Sequence, residues 1–346
     1  MNRLILISLV LILFQTSNAQ TAFSLTEGSP ALVYALPKTV LNFEVEVEKT
    51  VEKPGVFYLY SQRYLATDRV VLEEKTSYRV KGIRMSTSTV PDLNRRFSIV
   101  PVANSALNHL VVNSQGILCG VNVDIQQADR KMNASKSFET AMTAKNILPL
   151  TQEYMMAGST AKLAEGAAKQ IYDIRESRLN ILMGEMDQLP ADGEALKLML
   201  NGLDRQEKEL TELFIGSVVT ETSFHQVTIT PDRNQLEDVL FRLSANRGFV
   251  PKDDLSGTPF YYNINPEKIQ LQAPDPKSKP VKIGLQTVLP AQTTVTVTDG
   301  VKTLLENTLD IPQFGELVPL PESLFKSQKV KVQVDVETGR LLKLEN

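Results

Sequence analysis

The spacing of apolar residues changes twice along this 346-residue chain, and these changes restrict the fold more than any other feature. Apolar residues alternate with polar ones from Ala31 to about Leu150, recur every three or four positions from Thr151 to Ile215, and alternate again after Val218. The first spacing is typical of half-buried strands and the second of amphipathic helices. We therefore predict an α+β fold with two β-rich domains, built from antiparallel sheets, and a central antiparallel helical hairpin. The predicted boundaries are 1–19 for a signal peptide, 20–150 for the N-terminal β-rich domain, 151–217 for the hairpin and 218–346 for the C-terminal β-rich domain.

Alternation in the N-terminal region is clearest where Phe43, Val45 and Val47 alternate with Glu44, Glu46 and Glu48. On a strand these glutamates point to one side, so the pattern predicts a charged face in water rather than a metal site. Pro54-Gly55 predicts a turn after this strand. The further strands predicted for this region are Val56–Tyr60, Tyr78–Ile83, Arg96–Val102, Leu110–Val112 and Ile117–Val123.

Two amphipathic helices are predicted between the β-rich regions. Pro190 and Gly193 lie in the short link between them, which favours an antiparallel hairpin. Asp192 is placed to cap the second helix and Gly216 to end it. The predicted apolar face of the first helix consists of Leu163, Ala167, Ile171, Ile174 and Leu182, and that of the second consists of Leu196, Met199, Leu203, Leu210 and Leu213.

Two polar residues, Arg178 and Gln206, interrupt these apolar faces, and we expect them to fix the register of the helices rather than to catalyse a reaction. Asp204 and Lys208 are spaced as an exposed ion pair within the second helix. Because the hairpin combines an apolar face with a charged exterior, we expect it to bridge or orient the two β-rich domains.

Strand patterns return after the hairpin. Asp299-Gly300 predicts a type I′ turn between two strands. The segment Gln235–Leu243 is consistent with a helix or a strand, and we favour a strand that turns back at Asn246-Arg247-Gly248. The clearest strands predicted here are Phe224–Thr230, Thr293–Thr298, Val301–Leu305 and Val330–Val336.

The N-terminus has the pattern of a secretory signal. Arg3 precedes an apolar run from Leu4 to Phe14, and Ser17-Asn18-Ala19 forms a small-residue cleavage site before Gln20. The apolar run is too short to span a bilayer, and no cysteine follows it to carry a lipid. We predict an exported protein with no lipid anchor and no transmembrane segment after signal cleavage. The periplasm is the favoured location, with the cell surface or secretion as alternatives.

Composition excludes several classes of partner. The formal net charge is −3 at pH 7 and no run of Lys or Arg occurs, so nucleic acid is not an expected partner. Cys119 is the single cysteine, so no disulfide forms within the chain, and we favour a small buried apolar role for it over a reactive thiol. The absence of Trp argues against a glycan-binding site.

The patterns of the common catalytic sites are missing. Only two histidines occur, His109 and His225, which excludes a zinc protease motif, and a structural role is favoured for each. The chain also lacks a Gly-x-Ser-x-Gly elbow, a phosphate-binding loop, a dinucleotide-binding fingerprint and an EF-hand. We therefore predict no catalytic residue and no cofactor.

Two groups of residues are weak candidates for binding. The predicted tip of the hairpin gathers four carboxylates, which suggests calcium, although helix capping and solvation explain them better. Tyrosines are favoured at protein interfaces, although alternating aromatic residues in strands more often pack in a core. The metal candidates are Glu185, Asp187, Asp192 and Glu194, and the partner-binding candidates are Tyr58, Tyr60, Tyr64, Tyr261 and Tyr262.

Motifs throughout the chain carry a family resemblance. The central run is Ile171-Tyr172-Asp173-Ile174-Arg175-Glu176, followed by Leu189-Pro190-Ala191-Asp192-Gly193 and Leu213-Phe214-Ile215-Gly216; the flanking motifs include Leu36-Pro37-Lys38-Thr39, Pro54-Gly55, Leu289-Pro290-Ala291, Gln313-Phe314-Gly315 and Glu337-Thr338-Gly339. With these motifs the chain resembles an uncharacterised family of exported envelope proteins of Bacteroidota. The resemblance implies a signal-bearing envelope protein of Gram-negative bacteria and assigns no activity, cofactor or catalytic residue.

Three hypotheses for function follow. The favoured one is a non-catalytic exported envelope protein, either a structural scaffold or a component that binds other envelope proteins through sheet edges, the hairpin or the tyrosines. The second is a hydrolase with a site between the domains that uses His225 or paired carboxylates. The third is a glycan-binding module.

Overall fold

A computed structural model describes residues 31–123, 158–185, 192–269 and 282–345, so the predicted signal peptide lies outside the described residues. The strands are β1 Leu32–Lys53, β2 Lys75–Ile99, β3 Leu110–Val112, β4 Leu118–Val121, β5 Ser217–Ile229, β6 Glu237–Ser244, β7 Gly248–Val250, β8 Thr258–Pro266, β9 Ile283–Thr298, β10 Thr303–Pro321, β11 Lys331–Val334 and β12 Leu341–Glu345. The α-helices are α1 Ser61–Leu65, α2 Thr160–Met183 and α3 Gly193–Ile215, and short 3-10 helices span Tyr58–Tyr60, Ala106–His109 and Glu322–Lys326.

These strands form three antiparallel sheets. The strand order is β2-β1-β5 in a three-stranded sheet, β10-β9-β8-β6-β7 in a five-stranded sheet and β12-β11-β4-β3 in a four-stranded sheet. The predicted β-rich character and the antiparallel pairing are therefore confirmed. The two-domain arrangement is not confirmed, because β5 joins β1 and β2, and β11 joins β4, so strands from both predicted β-rich regions share sheets.

Three clusters of buried side chains hold these layers together. The main core lies between the three-stranded and five-stranded sheets, the second core lies around the four-stranded sheet, and the hairpin core joins the helices to the segment after β1. The main core includes Leu41, Phe43, Val45, Phe241, Ile264 and Val295; the second core includes Tyr34, Leu36, Leu118, Leu285, Phe325 and Val332; the hairpin core includes Phe57, Ala167, Ile171, Leu210 and Phe214.

Strand β1 takes part in both of the β-sheet cores. Its first half contributes Tyr34 and Leu36 to the second core, and its second half contributes Phe43 and Val45 to the main core. The Tyr34 hydroxyl contacts the backbone of Gln286 in β9, accepting from N at 2.7 Å, and burial raises the pKa of Tyr34 to about 12. A single long strand therefore ties the N-terminal and C-terminal regions together.

The side chain of Gln313 completes the pairing of β1 where β5 ends. Strand β5 reaches only as far as Leu41, and two residues further on the Thr39 N–H donates to Gln313 Oε1 at 2.9 Å. In return, Gln313 Nε2 donates to the Thr39 carbonyl at 2.8 Å. Both residues are buried, so this amide satisfies two backbone groups that have left water.

Two arginines hold the bulge of β10 that carries Gln313. The register between β9 and β10 shifts between Ile311 and Glu316. Arg95 donates to the carbonyls of Pro312 and Gln313, and Arg233 donates to those of the next two residues. Gly315 is required here because a Cβ on it would lie 2.1 Å from the Leu289 carbonyl oxygen.

The helical hairpin forms as predicted, with two differences in its packed face. Asp192 caps α3 by accepting from the Glu194 N–H, and Gly216 ends the helix. The predicted inward residues Leu182 and Gln206 are exposed instead. Their neighbours Ile181 and Glu207 are more enclosed, and Glu207 is held at the seam by arginines of the opposite helix.

Arg178 lies at the seam as predicted and binds carboxylates of the opposite helix. Its guanidinium contacts Asp204 and donates to Glu207 at 2.7 Å, and Arg175 donates to Glu207 as well. Asp204 therefore pairs with Arg178 across the seam, in place of the predicted pair with Lys208. Pro190 lies outside the described residues, and α2 ends earlier, at Gly184, which has a left-handed backbone.

The predicted strand Val56–Tyr60 is wrong, because this segment forms a 3-10 helix followed by α1. Tyr58 N donates to the Gly55 carbonyl and Tyr60 N donates to that of Phe57. Phe57 is buried against Phe214, with ring centres 5.5 Å apart, so the chain must turn at the base of the hairpin. Tertiary packing has overridden the alternation.

The remaining strand predictions hold, with changes in length and turn type. The predicted strands Tyr78–Ile83 and Arg96–Val102 belong to one strand, β2, which is paired with β1 almost throughout. The Gln235–Leu243 segment is a strand, as favoured. Asp299-Gly300 does turn the chain between β9 and β10, but type I′ is wrong, because Gly300 has a positive φ and Asp299 does not.

Replacement of Gln313 tests the junction between β1 and β10. Gln313→Ala leaves the N–H and C=O of Thr39 buried without their partner, and each such group costs about 1–3 kcal/mol. We expect the free energy of unfolding to fall by about 2–4 kcal/mol in urea denaturation.

Gln62→Ala is the matched control, because Gln62 is an exposed glutamine of α1. Its effect should stay within about 0.5 kcal/mol. A Gln313→Ala protein as stable as this control would contradict the role assigned to the amide.

Candidate functional site

Strand β5 is an edge of the three-stranded sheet. It pairs with β1 from Leu41↔Ile229 to Lys53↔Ser217. On its other side the described residues place no further strand. Because an open edge presents a row of backbone donors and acceptors to any extended segment, this 13-residue strand is the candidate functional site.

The side chains of β5 alternate between two environments. Val227 and Ile229 pack against the main core, and His225 lies opposite Val45 on the same face. The opposite face carries no ionisable group: its members are Val218, Thr220, Thr222, Phe224, Gln226 and Thr228.

Large apolar side chains of β5 are in contact with water. Val218 is 59% exposed, Phe224 46% and Val219 42%. The guanidinium carbon of Arg84 lies 5.8 Å from the centre of the Phe224 ring, which is a cation–π distance. β5 therefore combines an open backbone edge with apolar side chains that a partner would cover.

The other sheet edges among the described residues have features that oppose the addition of a strand. β3 and β7 have three residues each, and β12 is short and includes Lys343 and Glu345. Charge, proline and short length all disfavour edge-to-edge pairing. β2 carries Lys75, Arg79, Lys81, Arg84, Pro91, Arg95 and Arg96, and β10 carries Pro312, Pro319 and Pro321.

The three glutamates of β1 form a neutralised face next to β5. Glu44 pairs with Arg84 at 3.1 Å and Glu46 with Lys81 at 3.0 Å. Arg79 donates to Glu48 and holds the pKa of that carboxyl below its ordinary value. These carboxylates bind the cations of β2, and on the other side of β1 Lys49 pairs with Glu221 of β5 at 3.5 Å.

Ser223 and His225 form a contact that the sequence analysis missed. The Ser223 Oγ lies 3.0 Å from the His225 Nε2, and both side chains are on the face towards the main core. The imidazole stacks on Phe249 with ring centres 4.3 Å apart, and burial lowers its pKa. The imidazole is therefore mostly neutral at pH 7.

The Ser223–His225 pair lacks features of a catalytic triad within the described residues. The Ser223 hydroxyl has a second acceptor, the Val47 carbonyl at 3.4 Å. The shift of the His225 pKa comes from burial, with no carboxylate contributing. A triad requires a third group that orients the base. His109, the other histidine, is exposed at the end of the 3-10 helix before β3.

The predicted tyrosine candidates separate into packed and exposed residues. Tyr60 and Tyr64 pack against the hairpin core, and the Tyr172 hydroxyl donates to the Tyr64 carbonyl at 2.7 Å. Tyr58 is half-buried in the same turn. These residues therefore belong to the base of the hairpin.

Tyr261 and Tyr262 lie on opposite faces of β8. Tyr262 is buried in the main core, as the core interpretation predicted, and Tyr261 is 41% exposed. Among the described residues, no ring contact joins Tyr261 or Tyr262 to the tyrosines at the base of the hairpin.

The predicted metal candidates lie at the tip of the hairpin. Asp187 lies outside the described residues, and Glu185, Asp192 and Glu194 are exposed. Asp192 caps α3. Within the described ranges, no group of three or more His, Cys, Asp or Glu side chains is arranged to hold a metal ion.

The edge character of β5 has a signal in the sequence that we did not use. The run from Ser217 to Ile229 contains β-branched and aromatic residues and lacks Lys, Arg and Pro. Such a run favours a strand without the residues that block strand addition. Its position at an edge, however, follows from its pairing with β1 alone among the described strands.

Among the helices that the structure describes, none has the length and apolarity needed to cross a membrane. No curated protein and no solved structure matches the chain. The profile of a domain of unknown function, DUF4831, matches residues 31–342. This match covers every sheet and both helices of the hairpin, and the chain therefore belongs to the DUF4831 family.

Proposed function

We propose that this chain is an exported, non-catalytic protein of the bacterial envelope that binds another protein through the open edge of β5. The observation that carries the proposal is the 13-residue edge strand with exposed Val218 and Phe224 and with no described strand beyond it. Backbone hydrogen bonds to an added strand supply affinity, and the alternate side chains supply specificity.

The N-terminal pattern supports export. Arg3, the apolar run Leu4–Phe14 and the small residues up to Ala19 have the order of a cleaved secretory signal. We place the mature chain in the periplasm, where extended segments of envelope proteins are accessible to an edge strand.

A hydrolase is the second candidate, and the Ser223–His225 contact is the observation that favours it. A neutral imidazole within hydrogen-bond distance of a hydroxyl is the first requirement of a serine nucleophile. The competing contact of Ser223 with the Val47 carbonyl favours the structural interpretation instead.

Replacement of Ala19 tests export. Signal cleavage requires a small residue before the cut, so Ala19→Arg should accumulate the uncleaved precursor in a Gram-negative host, while the unaltered chain begins at Gln20. N-terminal sequencing and precursor mobility measure this. Asn18→Arg is the matched control, because the second residue before the cleavage point need not be small. Normal cleavage of Ala19→Arg would refute the predicted site.

Photo-crosslinking tests the proposed edge. A benzoylphenylalanine in place of Thr220 should give a covalent adduct with another protein in intact cells, because position 220 is exposed on β5. Adding Phe224→Lys should remove the adduct, since an edge lysine opposes strand addition. The control places the photoreactive residue at Val301, which is 95% exposed in the β9–β10 turn. Equal adduct yields at the two positions would contradict the proposal.

A fluorescent phosphonate separates the two candidate functions. The reagent modifies activated serines, so the proposed non-catalytic protein should remain unlabelled at neutral pH. His225→Ala and Ser223→Ala are the comparison variants. Labelling that both substitutions abolish would establish an activated Ser223 and would overturn the non-catalytic proposal.

A further inference from the structure

We propose that the strand added to β5 is β5 of a second copy, so that two chains form one continuous six-stranded antiparallel sheet around a twofold axis. The inference rests on the proposed function, because it identifies the occupant of the same edge. Its carrying observations are the self-complementary order of residues along β5 and the contrast between the two edges of the sheet.

A twofold axis at Ser223 pairs the strand with itself over its whole length. Ser223 is the middle of the thirteen residues, so Ser217 faces Ile229 of the second copy at each end. In this register Val219 faces Val227 and Thr222 faces Phe224. Pairs of β-branched and aromatic side chains across strands stabilise a sheet.

The same register also keeps like charges apart, and Glu221 retains its ion pair with Lys49 of its own chain at 3.5 Å. Glu221 and His225 are the ionisable groups of β5, and each is two residues from Ser223. Glu221 of one copy therefore faces His225 of the other. An axis at Glu221 would place two carboxylates opposite each other, which is destabilising, and an axis at His225 would place Glu221 opposite Ile229.

The distribution of charge explains why the assembly would stop at two copies. The cations of β2 pair with the glutamates of β1 within each chain. Two sheets joined at β5 would have central strands without Lys, Arg or Pro, and their outer edges would be the two β2 strands with their Lys, Arg and Pro residues. Those edges oppose further addition, and closed twofold dimers are the commonest assemblies of soluble proteins.

An unrelated partner strand would have to match this edge by its own sequence, whereas a second copy matches it by symmetry. The outer face of β5 is uncharged, so it offers no charge for a basic or acidic segment to recognise. The exposed Val218 would face Thr228 of the second copy, and Phe224 would be covered by Thr222.

Light scattering of the full mature chain, combined with single cysteines, tests this arrangement. The unaltered chain should have the mass of two copies. Thr222→Lys combined with Gln226→Lys should reduce the mass to that of one copy, because lysines enter the centre of the joint. Val301→Lys is the control and should leave the dimer intact. A monomeric unaltered chain, or a dimer insensitive to the two lysines, would overturn the inference.

A short bismaleimide then tests the register. Ser223→Cys should crosslink to a dimer, because two residues on the axis lie about 5 Å apart. Thr220→Cys should not, because the two copies of position 220 are separated by six residues, or ~20 Å. Both positions are exposed, and the native Cys119 is buried. Crosslinking at 220 but not at 223 would refute the register.

The outcomes also separate this inference from the proposed function. A monomeric chain that still forms the Thr220 adduct with another protein would refute self-pairing and retain protein binding at β5. A dimer whose adducts contain a second copy alone would support self-pairing and refute the binding of a different envelope protein at this edge.

Discussion

The structure depends on completing the backbone pairing of β1, the strand that serves two cores. A strand buried on its faces must have its N–H and C=O groups satisfied on both edges, because each unsatisfied buried group is costly. β2 provides one edge along nearly the whole length, and β5 provides the other from Leu41 onward. At Thr39 the amide of Gln313 takes over. The arginines that hold the β10 bulge therefore also hold the amide that satisfies Thr39.

Several motifs that carry the family resemblance occupy close approaches of the backbone. A Cβ on Gly55 would lie 2.3 Å from the Leu213 carbonyl oxygen, and one on Gly315 would meet that of Leu289. Phe57 N donates to the same Leu213 carbonyl at 2.7 Å. Packing thus accounts for Pro54-Gly55, Leu213-Phe214-Ile215-Gly216 and Gln313-Phe314-Gly315 without a catalytic role.

Local pattern predicted the elements of the fold better than their partners. The hairpin, its Asp192 cap and the β6 strand followed from periodicity and cap chemistry, because those signals lie within a few residues of each other. The failures came where distant contacts decide the conformation. Alternation at Tyr58 and Tyr60 suggested a strand. The turn is favoured instead by the contacts of Phe57 and Tyr64 with Phe214 and by the hydrogen bond from Phe57 N to the Leu213 carbonyl. Glu207 lies at the seam where Gln206 was predicted, because Arg175 and Arg178 bind the Glu207 carboxylate.

The sequence by itself determined that strands flank a helical hairpin and that the common catalytic motifs are missing. It also determined that the second helix begins after Asp192 and ends at Gly216. The tertiary structure decided that β5 lies at an edge, that β11 joins β4, and that Ser223 and His225 lie beside Val47 and Phe249. The reason is that periodicity records which face of a strand is buried, whereas the neighbour on each edge depends on hydrogen bonds between segments far apart in the chain. The candidate interface is an edge, and therefore emerged only from the fold.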